Sequence, residues 1–152
     1  MINWELVKQG ISALLGTFGF SLLFGLKKKK LFLASVGGFM VWGVYALMNL
    51  FIPDNLFLCN FIPAIVGTLY SQLIARVIKA PATMFIFTSL VVLVPGGMLY
   101  YTMSSIILGK MTDGVRLAFD TLEVTVALAL GIVAVMALIK IIYYIERRGR
   151  KQ

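Results

Sequence analysis

The sequence has no histidine, one cysteine and only six acidic residues in 152. Without histidine there is no Ser-His relay, zinc–histidine site, haem–histidine ligation or imidazole proton shuttle. Cys59, alone, makes neither an internal disulfide nor a thiolate metal cluster. Of the acids, only Asp120 and Glu123 fall near a long apolar stretch, and a paired aspartyl centre needs two aspartates there. The chain therefore reads as a non-enzyme with no cofactor and no metal. Charge is also sparse, 13% of residues, against 61% hydrophobic residues and a mean hydropathy of +0.97. That balance lies far outside ordinary soluble domains.

Long apolar runs are abundant instead. A hydrocarbon core about 30 Å thick takes roughly 20 helical residues to cross. Five runs qualify: Leu6 to Leu26, Leu31 to Ile52, Leu56 to Ala75, residues 81–109, and Leu117 to Tyr144. Pro53-Asp54-Asn55 is a tight turn between the second and third, and Pro81 suits the first turn of the fourth. Lys110 to Arg116 reads as an exposed loop before the fifth. The prediction is an all-α, polytopic membrane helix bundle, one transmembrane domain over residues 1–152, with five crossings. The charge cluster follows the first run, so that run reads as a span and not as a cleavable leader.

The net charge of +8 does not point to nucleic acid, because the basic residues gather at segment ends. With the run Lys27 to Lys30 placed in the cytoplasm, eleven of the 14 Lys and Arg fall inside and three, Lys8, Lys110 and Arg116, outside. This predicts N-terminus out and C-terminus in, with membrane lipids as the surroundings and the tetralysine run as a topology anchor. Trp4 and Tyr100-Tyr101 fit the outer interface, Tyr143-Tyr144 the inner one.

The fourth run is broken at Val94-Pro95-Gly96-Gly97. Pro95 has no N–H and its ring collides with the Val91 carbonyl, and the two glycines follow proline as the poorest helix formers. Backbone freed in lipid survives only inside protein or beside a watery cavity, and many transporters build substrate sites on such breaks. At 1.5 Å per residue, Pro95 lies about 20 Å from Pro81, beyond the midplane. The restarting helix offers the N–H groups of Gly96, Gly97 and Met98 to a carboxylate; the competing reading is a buried proline kink.

Other polar positions are few. Asn60, Thr68 and Gln72 on the third run are candidates for a polar path, while Pro63, Gly67, Ser71 and Ala75 form a small-residue packing stripe. Glu123 and Asp120 are candidates for proton coupling, Glu123 being the deeper, against a structural hydrogen bond to a neighbouring helix. Arg76 and Lys79 stand at the cytoplasmic mouth, where topology explains them equally well. Trp42 and Tyr45 read as packing aromatics. An odd number of crossings leaves no room for two equal halves in one chain.

Ala75-Arg76-Val-Ile-Lys79-Ala-Pro81, followed by Leu93-Val94-Pro95-Gly96, resembles the threonine/serine exporter family (ThrE). The whole chain is similar to the small YjjB-type subunit that corresponds to that family's C-terminal membrane half. The resemblance implies a bacterial inner-membrane secondary exporter of threonine and serine, driven by the proton motive force. It also implies a larger membrane subunit as partner, hence a hetero-oligomer if not a homo-oligomer. A related two-subunit member exports succinate, which widens the implied substrate to small carboxylates. The competing reading is a non-transporting scaffold or regulatory subunit, its break only a packing device.

Overall fold

The computed structural model describes residues 4–26 and 29–149. Lys27 and Lys28 of the tetralysine run, and Arg150 and Lys151, lie outside the described residues. Among the described residues are six α-helices and no strand: α1 (Trp4–Leu23), α2 (Lys29–Phe51), α3 (Leu56–Ile78), α4 (Ala82–Leu90), α5 (Gly96–Ile107) and α6 (Met111–Gly149). A single 3-10 turn, Val91–Leu93, extends α4. Helices α2, α3 and α6 are each long and apolar enough to cross a membrane. Together α4, its 3-10 turn and α5 are long and apolar enough to cross as one broken element, bent by 51°. The apolar part of α1, Val7–Leu23, is the short fifth element, about 25 Å long at 1.5 Å per residue.

Three helix ends use one device. Gly25 (φ 70°), Lys79 (φ 54°) and Gly109 (φ 74°) take the left-handed conformation just past α1, α3 and α5. Behind each, an N–H reaches back five residues: Leu26 to the Ser21 carbonyl, Ala80 to Ala75 and Lys110 to Ser105, at 2.9–3.0 Å. This is the Schellman closure, in which an otherwise orphaned carbonyl gains a donor. The turn at Gly25 ends α1 at Leu23, three residues before the apolar run ends. The start of α3 is capped by Asn55, whose side chain accepts the Leu58 N–H at 2.9 Å. Pro81 stands one position earlier than expected, as the residue preceding α4 and not within its first turn.

The expected loop over Lys110 to Arg116 is overturned, because α6 begins at Met111. Gly109 completes the reversal so tightly that the polar residues fall on the helix, with Asp113 in its first turn, where the helix dipole favours a carboxylate. The resulting α6 has 39 residues and is about 58 Å long.

α3 is the centre of the bundle, packed by α2, α4 and α6, while α1 lies on α2 and the 3-10 turn, and α5 lies on the first turns of α6. The core gathers Val41, Ala64, Ile86, Leu90 and Leu93. Pro63, Gly67, Ser71 and Ala75 are all buried, as a packing stripe requires, and Gly67 faces Val41 of α2 and Leu90 of α4. The α3–α6 crossing is tight against less yielding atoms. A β-carbon on Gly131 would stand 2.7 Å from the Ala64 β-carbon and 3.1 Å from the Phe61 carbonyl oxygen, atoms that cannot swing away. Gly131→Val is therefore expected to push the helices apart and cost about 2 kcal/mol or more, read as a lower melting temperature in detergent; an unchanged melting temperature would show that the crossing is looser than these distances.

Candidate cavity at the broken span

The break is built from the backbone outward. Pro95 has no N–H for the Val91 carbonyl, which accepts the Val94 N–H instead, at 3.2 Å. Val94 is extended (ψ 124°), and Pro95 (φ −77°, ψ 50°) stands immediately before α5. The Gly96 N–H turns back onto the Val94 carbonyl at 2.8 Å. The Val92 carbonyl thereby loses its helical donor, and of the three N–H groups expected to be on offer, the one on Gly96 is engaged. α5 resumes with the Leu99 N–H on the Pro95 carbonyl, at 3.0 Å.

A pocket of about 180 Å³ lies against this turn, bounded by Pro95 and Met98, Tyr45 of α2, Leu56 and Asn60 of α3, and Val124 of α6. Asn60, 4% exposed, donates its Nδ2 to the Leu56 carbonyl at 2.8 Å. Its Oδ1 is left as an acceptor. Gly96 and Gly97 occupy the exposed side of the first turn of α5, with no atom within 4 Å of where a β-carbon would stand on either. No close packing calls for glycine there.

Neither glycine lines the pocket, and the other expected path residues do not join it either. Thr68 is fully buried and donates to its own helix, at the Ala64 carbonyl, 2.7 Å away. Gln72 approaches Met136 Sδ at 3.1 Å and lines a separate cleft of about 590 Å³ between α3 and α6, together with Arg76, Lys140 and Tyr143. Arg76 is thus joined to Gln72, whereas Lys79 does not line that cleft.

Lys79 does, however, hold a conformation that costs a side chain about 1 kcal/mol and costs glycine nothing. The equivalent positions after α1 and α5 are glycines. Lys79→Gly is expected to raise the melting temperature; an unchanged or lower melting temperature would show that the left-handed angle carries no such cost.

Glu123 is placed by a contact with α3. Its Oε1 accepts the Phe57 N–H at 3.1 Å, capping the first turn of that helix across 66 residues of sequence. Phe57 and Glu123 each adjoin a pocket residue, Leu56 and Val124. Asp120 is half-buried, three residues earlier on α6.

Sequence reasoning missed a larger cavity on the opposite side of the break. About 520 Å³ in volume, it is bounded by Lys8, Gln9 and Ser12 of α1, Trp42 and Tyr45 of α2, and the 3-10 turn at Val91 and Val92. The two aromatics expected only to pack are therefore also cavity walls. Lys8 and Ser12, four apart on one face of α1, were the available signal, hidden because the end of a span is where polar residues ordinarily fall.

A family model described as Threonine/Serine exporter, ThrE, matches residues 9–138. No curated protein and no solved structure matches the chain.

Proposed function

Because the chain belongs to the threonine/serine exporter family, a transporter family and not an enzyme class, we propose that it is the membrane subunit of a two-component, proton-coupled exporter. Its substrate is threonine, serine or a related small carboxylate. A multi-pass membrane protein follows from the family and the apolar helices. The bacterial inner membrane, with N-terminus out and C-terminus in, is part of the proposal, as is a larger partner subunit carrying the other membrane half.

The observation that carries this reading is the pocket against Pro95. From this pocket, which Met98 lines, the substrate carboxylate reaches past Pro95 to the Gly97 and Met98 N–H groups at the positive end of α5. The freed Val92 carbonyl receives the ammonium group. Asn60 Oδ1 accepts the side-chain hydroxyl, which separates serine and threonine from apolar amino acids of the same size. Arg76 and Gln72 in the cytoplasmic cleft attract the anion. Thr68 serves packing in this scheme. Glu123 is the coupling group, with Asp120 one turn away. Protonating the Glu123 carboxylate weakens its bond to the Phe57 N–H, since a charged acceptor holds roughly twice as strongly as a neutral one. The start of α3, and with it the wall at Leu56, is then loosened.

The test is counterflow of labelled threonine, serine and succinate in liposomes, with the chain alone and with its larger partner. Uptake only with both supports the split exporter. No uptake in either case, from folded protein, supports the scaffold.

A further inference from the structure

The two cavities at the break share walls. Tyr45 and Val92 line both the pocket of about 180 Å³ and the larger cavity of about 520 Å³. Val92 belongs to the 3-10 turn and is fixed by it. Tyr45 is the larger of the two and contributes a rotatable ring, half-buried and packed on the edge of the Val41–Ala64–Ile86–Leu90–Leu93 core. The pocket beyond it holds Asn60 and Pro95. The cavity before it is edged by Lys8, Gln9 and Ser12, side chains that sit better against water than against lipid.

We infer that the α1–α2 cavity is the water-filled vestibule of the transport path, and that the Tyr45 side chain is the barrier between it and the substrate pocket. The inference rests on the exporter reading for what the path carries, but the barrier is a matter of shape. With Val92 held by backbone, rotation of the Tyr45 ring is the smallest movement that joins the two spaces. A planar aromatic suits the task, because it closes a gap when turned across it and opens it when turned flat. The neighbouring Trp42 is wedged over Gly10, where a β-carbon would stand 2.9 Å from the indole ring. That leaves Tyr45 as the movable wall.

The chain's single cysteine makes this testable without any transport assay. In a Cys59→Ala background, Ser12→Cys reports on the vestibule and Asn60→Cys on the pocket, each exposed to a membrane-impermeant methanethiosulfonate reagent from the side that reaches Ser12→Cys. With Tyr45 present, Asn60→Cys is expected to react at least about tenfold more slowly than Ser12→Cys, as behind a closed gate. Tyr45→Ala is expected to bring the two rates together, and Tyr45→Phe to keep them apart. An unchanged Ser12→Cys rate in Tyr45→Ala shows that α1 and α2 remain packed; if it changes, Tyr45→Leu replaces the alanine variant. Equal rates with Tyr45 in place, or a pocket cysteine that stays slow after the ring is removed, would overturn the barrier. Uptake in liposomes with Tyr45-independent labelling removes the barrier and leaves the exporter. Tyr45-dependent labelling without uptake does the reverse.

Discussion

Gly96→Leu is expected to reduce threonine and serine uptake by about a hundredfold or more, the scale on which losing one backbone donor to a developing or bound anion is felt. Expression, assembly and melting temperature are expected to match or exceed those of the parent. The pairing is informative because the structure separates the two effects. No atom stands within 4 Å of a β-carbon at position 96, so the leucine displaces nothing. Replacing a helical glycine favours the fold by up to about 1 kcal/mol. Helical side chains lean back toward the N-terminus of their own helix. A leucine at the first position of α5 therefore covers the end where the Gly97 and Met98 N–H groups emerge. Gly96→Ala, with one methyl, is expected to fall between parent and leucine. Parent-level uptake by Gly96→Leu would reduce the break to a bend in a helix and return the choice to the scaffold.

Glu123→Gln is expected to abolish uphill, pH-gradient-driven transport while leaving counterflow and stability near the parent. Glutamine keeps an oxygen that can accept the Phe57 N–H, now bonded at 3.1 Å to the carboxylate, but it carries no titrating proton. Glu123→Leu removes the acceptor as well and is expected to cost a further 1 kcal/mol or so, the usual loss when a helix N-terminus gives up its cap. Transport of both kinds suffers in that variant. The comparison separates the cap that Glu123 forms on α3 from the coupling role proposed for it. If Glu123→Gln still concentrates substrate against a gradient at every pH, Glu123 is only a cap, and the coupling group lies elsewhere, with Asp120 next in line.

The parts of this fold that depend on neighbours in sequence were readable in advance. Pro53-Asp54-Asn55 announced its turn, the Pro95-Gly96 break announced itself, and the spacing of Pro63, Gly67, Ser71 and Ala75 marked a buried face. What went unread depends on distance in sequence or on a single backbone angle. Lys110 to Arg116 has the composition of a loop, yet one glycine at φ 74° reverses the chain and leaves those residues helical. Asn60, Thr68 and Gln72 share a helix, but their partners separate them. Asn60 reaches the pocket, Thr68 turns to its own backbone, and Gln72 meets Met136 in another cleft. Nothing local in the sequence pairs Glu123 with Phe57. Tyr45 looked like any aromatic in an apolar helix, because the empty space on its two sides is made by α1, α3 and α6.

The length of α6 has a mechanical meaning. At 39 residues and about 58 Å it is nearly twice the thickness of a hydrocarbon layer about 30 Å deep. Such a rod leans, or stands clear of the layer at its ends, and the lean follows bilayer thickness. Gly131 packs it against α3 near Ala64, well inside the rod, with α5 riding on the N-terminal portion and the Gln72–Arg76 cleft beside the C-terminal one. Thickness of the surrounding lipid thus acts as a torque on the α3–α6 packing, shifting the two ends of the rod in opposite senses, and makes the bilayer itself one of the forces setting the shape of the bundle.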